Sequence, residues 1–403
     1  MTITRILGLV TALLVAAGTA QAQISDNLIK IGVLNDQSSL YADLAGQGSV
    51  VAARMAVEDY GAAAKGLKVE IIFADHQNKP DVGSSIARQW YDADKVDVIV
   101  DVPNSGVALA VSQITREKKK AFLVSSAASS DLTGKACSPN TIHWTYDTWA
   151  LANGTGNAIV KTGGDTWFFL TADYAFGHAL ERDTEAVVIR HGGKVLGKVR
   201  HPLNTADFSS FLLQAQASKA KIIGLANAGG YTINAIKQAA EFGIVRSGQN
   251  LAGLLVFITD IHGLGLATAQ GLIFTESFYW DTNERTRAFA KRFAERDRGI
   301  HPTMIHAGVY AAVTHYLKAV EALKGDDGTK VIAKMKELPT DDPLFGKGTI
   351  RQDGRKIHPV YLFEVKKPSE LKGPWDYYKL RATIPAAEAF RPIDQGDCPL
   401  VKK

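Results

Sequence analysis

The chain has little of several things. After its first 22 residues it has no apolar run long enough to cross a bilayer. Its formal net charge is only +5 over 403 residues and is scattered, with Lys118-Lys119-Lys120 as the one tight basic run. That run reads as the end of a helix, beside the negative end of its dipole, and no nucleic-acid motif accompanies it. No nucleic-acid partner is therefore expected. Catalytic signatures are also missing: there is no G-x-S-x-G and no H-E-x-x-H. Gly192, Gly197 and Lys198 copy part of a P-loop, but Val199 stands where a metal-binding hydroxyl belongs. Gly263-Leu264-Gly265 lacks the third glycine of a dinucleotide fingerprint. The ten histidines do not fall at ligand spacing. No metal and no cofactor is expected, and nothing asks for an enzyme. Cysteine is scarce: Cys137 and Cys398 stand alone. In an exported chain an even count favours a disulfide between them, with two free buried thiols as the alternative.

The exported compartment is inferred from the N-terminus. Arg5, an apolar run over 6–17 and Ala20-Gln21-Ala22 read as a secretory signal peptide at 1–22, cut after Ala22. About 380 residues remain, enough for two domains. From 28 onward the pattern alternates strand and helix. Strands are expected at 29–34, 69–74, 96–100 and 121–124, with helices at 50–60, 82–94 and 105–118 between them. A second series begins after 143–147. A helix at about 148–161 leads into it, and its strands are expected at 166–171, 194–199, 221–226 and 251–259, with a helix before 194 and helices at 208–218 and 231–242 between them. The remainder reads as a strand at 271–277, helices at 283–299, 303–323 and 329–338, and two strands at 347–350 and 359–365 joined by the Asp353-Gly354 turn. These last pieces are expected to complete the two earlier sheets. The fold class is α/β, with two Rossmann-like lobes.

The stretch FLVSSAASSDLT at 122–133 draws attention. A buried strand breaks into small and hydroxyl residues over 125–130, where free amides and Ser Oγ atoms can hold a small anion. A Ser-rich turn that merely opens the next segment is the alternative. Tyr41, Tyr146, Trp149, Tyr174, Phe176, Phe278 and Tyr279 all fall at strand ends or between the two series. They either face a shared cleft or pack the lobes' own cores.

IKIGVL at 29–34, AARMAVEDY at 52–60, the Ser-rich loop with Asp131-Leu132-Thr133, and the Phe176-Gly177 turn together resemble the type I periplasmic binding proteins. More narrowly, the chain is similar to the leucine/isoleucine/valine-binding class that feeds ABC importers. The resemblance implies two lobes joined by a three-crossover hinge, closing on a ligand and then docking on a membrane permease. Lobe 1 is expected over 23–144 and 275–346, lobe 2 over 145–274 and 347–390, and a C-terminal tail over 391–403. The crossovers fall near 144–148, 271–277 and 345–348. Localisation is periplasmic and the state monomeric. The resemblance places Asn104, Ser105, Ala127 and Ser129 on the ligand carboxylate, the 174–177 turn over the cleft, and Asp260 where amino-acid binders meet the ligand ammonium. Family members for branched-chain ligands carry hydroxyls where this chain has Asn104 and Ala128. With the aromatic set, that favours a small aromatic carboxylate, and an amino acid next. A ligand sensor on the same fold and an exported hydrolase using Ser105 or Ser129 are the competing readings. The hydrolase lacks a credible histidine partner.

Overall fold

Two parallel sheets organise the chain. In the computed structural model, which describes residues 24–402, the first is built from β1 (Ile29–Asn35), β2 (Val69–Asp75), β3 (Val98–Asp101), β4 (Ala121–Val124) and β5 (Thr141–His143), in the order β2-β1-β3-β4-β5. The expected signal peptide at 1–22 lies outside the described residues. Helices α1 (Gly46–Tyr60), α2 (Pro80–Asp92) and α3 (Ser105–Lys118) connect β1 through β4. With helices on both faces, β1, β3 and β4 are buried almost throughout and mostly apolar, with Lys30 at the entry of β1 and Asn35 and Asp101 at the carboxyl ends of β1 and β3. Asn104 caps α3 by accepting from the Gly106 and Val107 amides at 2.9 and 3.2 Å. The lysine run ends the same helix, with Lys119 in the left-handed region at φ 54°.

The second sheet has the order β7-β6-β8-β9, from β6 (Thr166–Ala172), β7 (Lys194–His201), β8 (Ile222–Ala226) and β9 (Asn250–Gly253). It is again all parallel. Between its strands run α6 (Ala175–Arg190), α7 (Ser209–Ala217) and α8 (Gly230–Glu241). The helix leading into this lobe is α4 (Thr148–Leu151), a π-helical turn (Ala152–Gly156) and α5 (Asn157–Lys161). The π turn falls where the helix crosses β10 (Ile273–Glu276). A Cβ on Gly154 would lie 2.3 Å from Thr275 Oγ1, so only glycine permits the crossing.

The strand expected over 251–259 is shorter. It stops at Gly253, the chain bends, and α9 (Ile258–Leu264) and α10 (Leu266–Ala269) follow. The apolar run LLVF is buried in the bend rather than in a ladder. The C-terminal remainder also differs from expectation. Helices α11 (Glu284–Arg296), α12 (Met304–Leu323) and α13 (Gly328–Glu337) return to the first lobe, where α12 packs on α1. The strands after them do not extend either parallel sheet. β11 (Thr340–Asp342), β12 (Gly346–Ile350) and β13 (Lys356–Ile357) form one small sheet. β10, β14 (Val360–Val365) and β15 (Tyr378–Ile384) form an antiparallel one. Asp353-Gly354 turns β12 into β13, not into β14.

Two crossovers meet behind the cleft. His143 bridges to Arg355. The fully buried Arg355 guanidinium donates to the Tyr146 carbonyl at 3.1 Å and lies 3.7 Å from Asp147. Lys356 pairs with Asp342 at 3.4 Å and sits over the Trp144 and Phe345 rings. Burial holds Arg355 down to about 10 and Lys356 to about 8. Phe390 packs under Arg355, and the C-terminal tail that follows is tied back by a disulfide between Cys398 and Cys137.

Candidate functional site

Between the two parallel sheets, at the carboxyl ends of their strands, lies a narrow, nearly closed cavity with about 10 Å³ of free space. It is lined by residues from both lobes. Lobe 1 contributes Tyr41, Leu44, Pro103, Ser126, Ala128 and Tyr146; lobe 2 contributes Tyr174, Phe176, Ala228, Leu255 and Phe257. No side chain in this lining is charged.

Tyr41 is held there by Asp36. That carboxylate is fully buried and accepts five hydrogen bonds. They come from the Ser38 and Ser39 amides at 3.4 and 3.0 Å, Ser39 Oγ at 2.6 Å, the Tyr41 amide at 2.9 Å and Asn78 Nδ2 at 2.7 Å. The loop after β1 is thereby folded around one anion. The Tyr41 hydroxyl then meets that of Tyr174 across the cleft at 2.6 Å. Burial pushes both phenols above their usual range, so both stay protonated. Tyr146 comes from the first crossover, and its hydroxyl donates to the Ser126 carbonyl at 2.6 Å.

The loop after β4 supplies the polar wall. The amides of Ser126, Ala127 and Ala128 donate to no group among the described residues. Their carbonyls are all taken: Ser126 by Tyr146, Ala127 by His143 Nε2 at 2.7 Å, Ala128 by the Thr148 amide at 2.7 Å. Three buried amides in a row without acceptors suit an anion. Behind them stands the buried Asp101, in reach of Asn35 Nδ2 at 2.9 Å and Ser125 Oγ at 3.2 Å. Burial raises its carboxyl above the usual range. Asp101 and Val102 both have positive φ, 82° and 61°, a conformation a β-branched residue rarely takes. That turn brings Pro103 to the cavity wall.

Of the twelve residues expected at the site, the structure brings Tyr41, Ala128, Tyr146, Tyr174 and Phe176 together at this cavity. The others stand elsewhere. Asn104 is spent on the α3 cap. Ser105 Oγ accepts from the Ser129 amide at 3.2 Å, and Ser129 Oγ from the Asp131 amide at 3.4 Å. Neither hydroxyl is hydrogen-bonded to a histidine. Ala127 packs into the lobe 1 core. Trp149 lies on α4, outside the lining. Phe278 packs against Phe289 and Phe345, and Tyr279 stacks on Tyr378 at 4.7 Å. Asp260 is buried at the start of α9, where Oδ2 accepts from the Phe257 amide at 3.0 Å. Burial raises its carboxyl to about 7. Ser126 comes from the Ser-rich loop expected to hold an anion, whereas Leu44, Pro103, Ala228, Leu255 and Phe257 are additions that sequence reasoning missed. Phe257 is hidden in sequence because its run reads as a strand.

The lobes also touch at one flank. Asp183 Oδ2 accepts from Ser130 Oγ at 2.6 Å and Arg182 pairs with Asp131 at 3.2 Å, while Thr148 Oγ1, from lobe 2 itself, donates to the same Asp183 oxygen at 2.6 Å. The architecture is thus two α/β lobes clasped over an uncharged aromatic cavity. The family model described as periplasmic binding protein matches residues 28–370. The chain belongs to this periplasmic binding protein family. A solved periplasmic binding protein from Burkholderia mallei is 52% identical, with a TM-score of 0.91, over 93% of this chain and 100% of that one. A Burkholderia xenovorans structure, named as a branched chain amino acid ABC transporter periplasmic ligand-binding protein, is 42% identical, with a TM-score of 0.82, over 92% and 99%. A solute binding protein from R. palustris in complex with benzoate has a TM-score of 0.79 over 89% and 97%. At 22% identity that likeness is one of fold. The chain is thus a periplasmic solute-binding protein of the ABC-transporter kind. No helix among the described residues is long and apolar enough to cross a membrane.

Proposed function

We propose that this periplasmic binding protein captures a small, single-ring aromatic carboxylate for an ABC importer. The observation that carries the reading is the lining itself: five aromatic rings, Tyr41, Tyr146, Tyr174, Phe176 and Phe257, around a small uncharged space. The free space is only about 10 Å³, far below the roughly 300–1,000 Å³ usual for ligand pockets, so the lobes as they stand are shut on each other and must part to admit even a one-ring ligand. Rings on both sides favour a flat guest, each well-placed pair adding about 0.5–1.5 kcal/mol beyond area burial. The free amides of Ser126 and Ala128, both in the lining, would take the carboxylate, as charge-assisted bonds that need no arginine. An ammonium has no charged partner in the lining itself, and Asp260 lies outside it at the start of α9.

One observation favours a second reading, a branched-chain amino acid: the Burkholderia xenovorans relative carries that description at 42% identity. Calorimetry with benzoate, 4-hydroxybenzoate and phenylpropanoid acids beside leucine and phenylalanine separates the two. Tight leucine binding with no heat from any aromatic acid would overturn the proposal. Recovery of the ligand unchanged after prolonged incubation distinguishes binding from turnover. The closed form, with both lobes presenting one continuous face, is what a membrane permease would read.

A further inference from the structure

Leu40 sits one residue before Tyr41, outside the cavity lining, yet it reaches the other lobe. It packs against the main core cluster and against the lobe 2 cluster at once. Its target is the turn between β8 and α8. The Gly230 amide points at the Leu40 carbonyl at 3.4 Å. A Cβ placed on Gly230 would lie 2.4 Å from Leu40 Cδ2, and one on Gly229 would lie 2.7 Å from the Leu40 carbonyl oxygen. Gly229 also adopts φ 57°, ψ −135°, a region open to glycine alone. The two glycines therefore leave a notch in lobe 2, and the Leu40 side chain fills it. Nothing in either lobe's own fold requires Gly230 to lack a Cβ, because the nearest atoms to that Cβ all belong to Leu40 of the opposite lobe.

We infer that Leu40 and the Gly229-Gly230 notch form a closure latch. It is a contact made only when the lobes meet, and it sets affinity without touching the ligand. This rests on the closure that the proposed function invokes, but not on the identity of the ligand. Leu40 and Gly230 are thus positioning residues. Alanine at 230 should be neutral or favourable for lobe 2 alone, since it reduces unfolded-chain freedom and suits a helix start. Its methyl group would instead obstruct the seat of Leu40. Stability and affinity then move in opposite directions, which a residue of purely structural importance would not do.

The first test needs no ligand. The Gly230 Cβ position lies 3.5 Å from Leu40 Cβ, within the span a disulfide requires. The Leu40→Cys, Gly230→Cys double variant should cross-link under mild oxidation, identified by peptide mapping beside the native bond. Thiols at 40 and 230 that stay free would overturn the latch. The second test is a cycle read by benzoate calorimetry. Gly230→Ala should weaken binding roughly tenfold while the melting temperature holds or rises. The same change should add nothing in a Leu40→Ala background. Equal losses in both backgrounds, or no loss in either, would overturn the latch. If benzoate fails to bind the native protein, the aromatic reading falls alone: the cross-link still tests the contact, and the same cycle is read with leucine.

Discussion

Replacing Asp36 by Asn keeps the side chain's shape and removes one acceptor. Oδ1 serves the Ser38 and Ser39 amides, while Oδ2 serves Ser39 Oγ, the Tyr41 amide and Asn78 Nδ2. However the new amide is turned, its NH₂ faces two N–H donors. Ser38 and Ser39 are exposed, so water can replace the acceptor there; the Tyr41 amide is buried. The favoured orientation therefore keeps oxygen toward Tyr41. A donor left without its charged acceptor costs about 1–3 kcal/mol, and water access places this variant near the lower end. Asp36→Ala removes both acceptors and should cost more. Because the same bonds aim Tyr41 into the cavity, affinity for benzoate should fall in the same order: native, then Asn, then Ala. Urea unfolding and calorimetry on the three proteins give both numbers. An Asn variant within about 0.5 kcal/mol of native stability and equal in affinity would refute the claim that this carboxylate organises the loop.

Tyr174→Phe removes one hydroxyl of the pair that spans the cleft and should weaken ligand binding by about 0.5–1.5 kcal/mol, seen by calorimetry, with little change in melting. Replacing Cys137 and Cys398 together by Ser should lower unfolding stability by about 2–5 kcal/mol, since the bond closes a separation of 261 residues; the denatured, unreduced native protein should titrate no free thiol. Asp260 has its carboxyl raised from 3.8 to about 7 by burial, so the folded protein holds that proton more tightly than the unfolded chain. Its contribution is therefore fullest below pH 4 and is lost as pH rises toward 7. Asp260→Asn keeps an acceptor for the Phe257 amide and escapes the penalty. Its stability relative to native should climb between pH 4 and 7, by up to about 4 kcal/mol, and a flat difference across that window would refute the assignment.

Much of the architecture could be read from residue order. Mainly apolar runs such as 29–34, broken only by Lys30 near its start, and 121–124, separated by helical periodicity, point to a parallel sheet covered on both faces. The repeated strand–helix order after 143–147 required a second unit of the same kind. The pairing of the two cysteines followed from their number and the expected compartment, and the bond is present. The Ser-rich loop after β4 does reach the cavity wall, because a strand end in a parallel sheet has nowhere else to go.

Which side chains face that cavity is another matter, and only the tertiary structure decided it. Phe278 and Tyr146 look alike in sequence: each is an aromatic residue just beyond a strand at a crossover. Tyr146 faces the cavity because its hydroxyl finds the Ser126 carbonyl and its own carbonyl is gripped by Arg355, 209 positions away. Phe278 turns into lobe 1 because α11 and the loop before β12 offer it two rings. Phe257 reaches the wall only because β9 ends early and the chain bends into α9. Strand and helix periods are local and survive in one dimension. The direction of a crossover side chain is set by whichever distant partner has room and a matching polar group, and no spacing in the sequence records that.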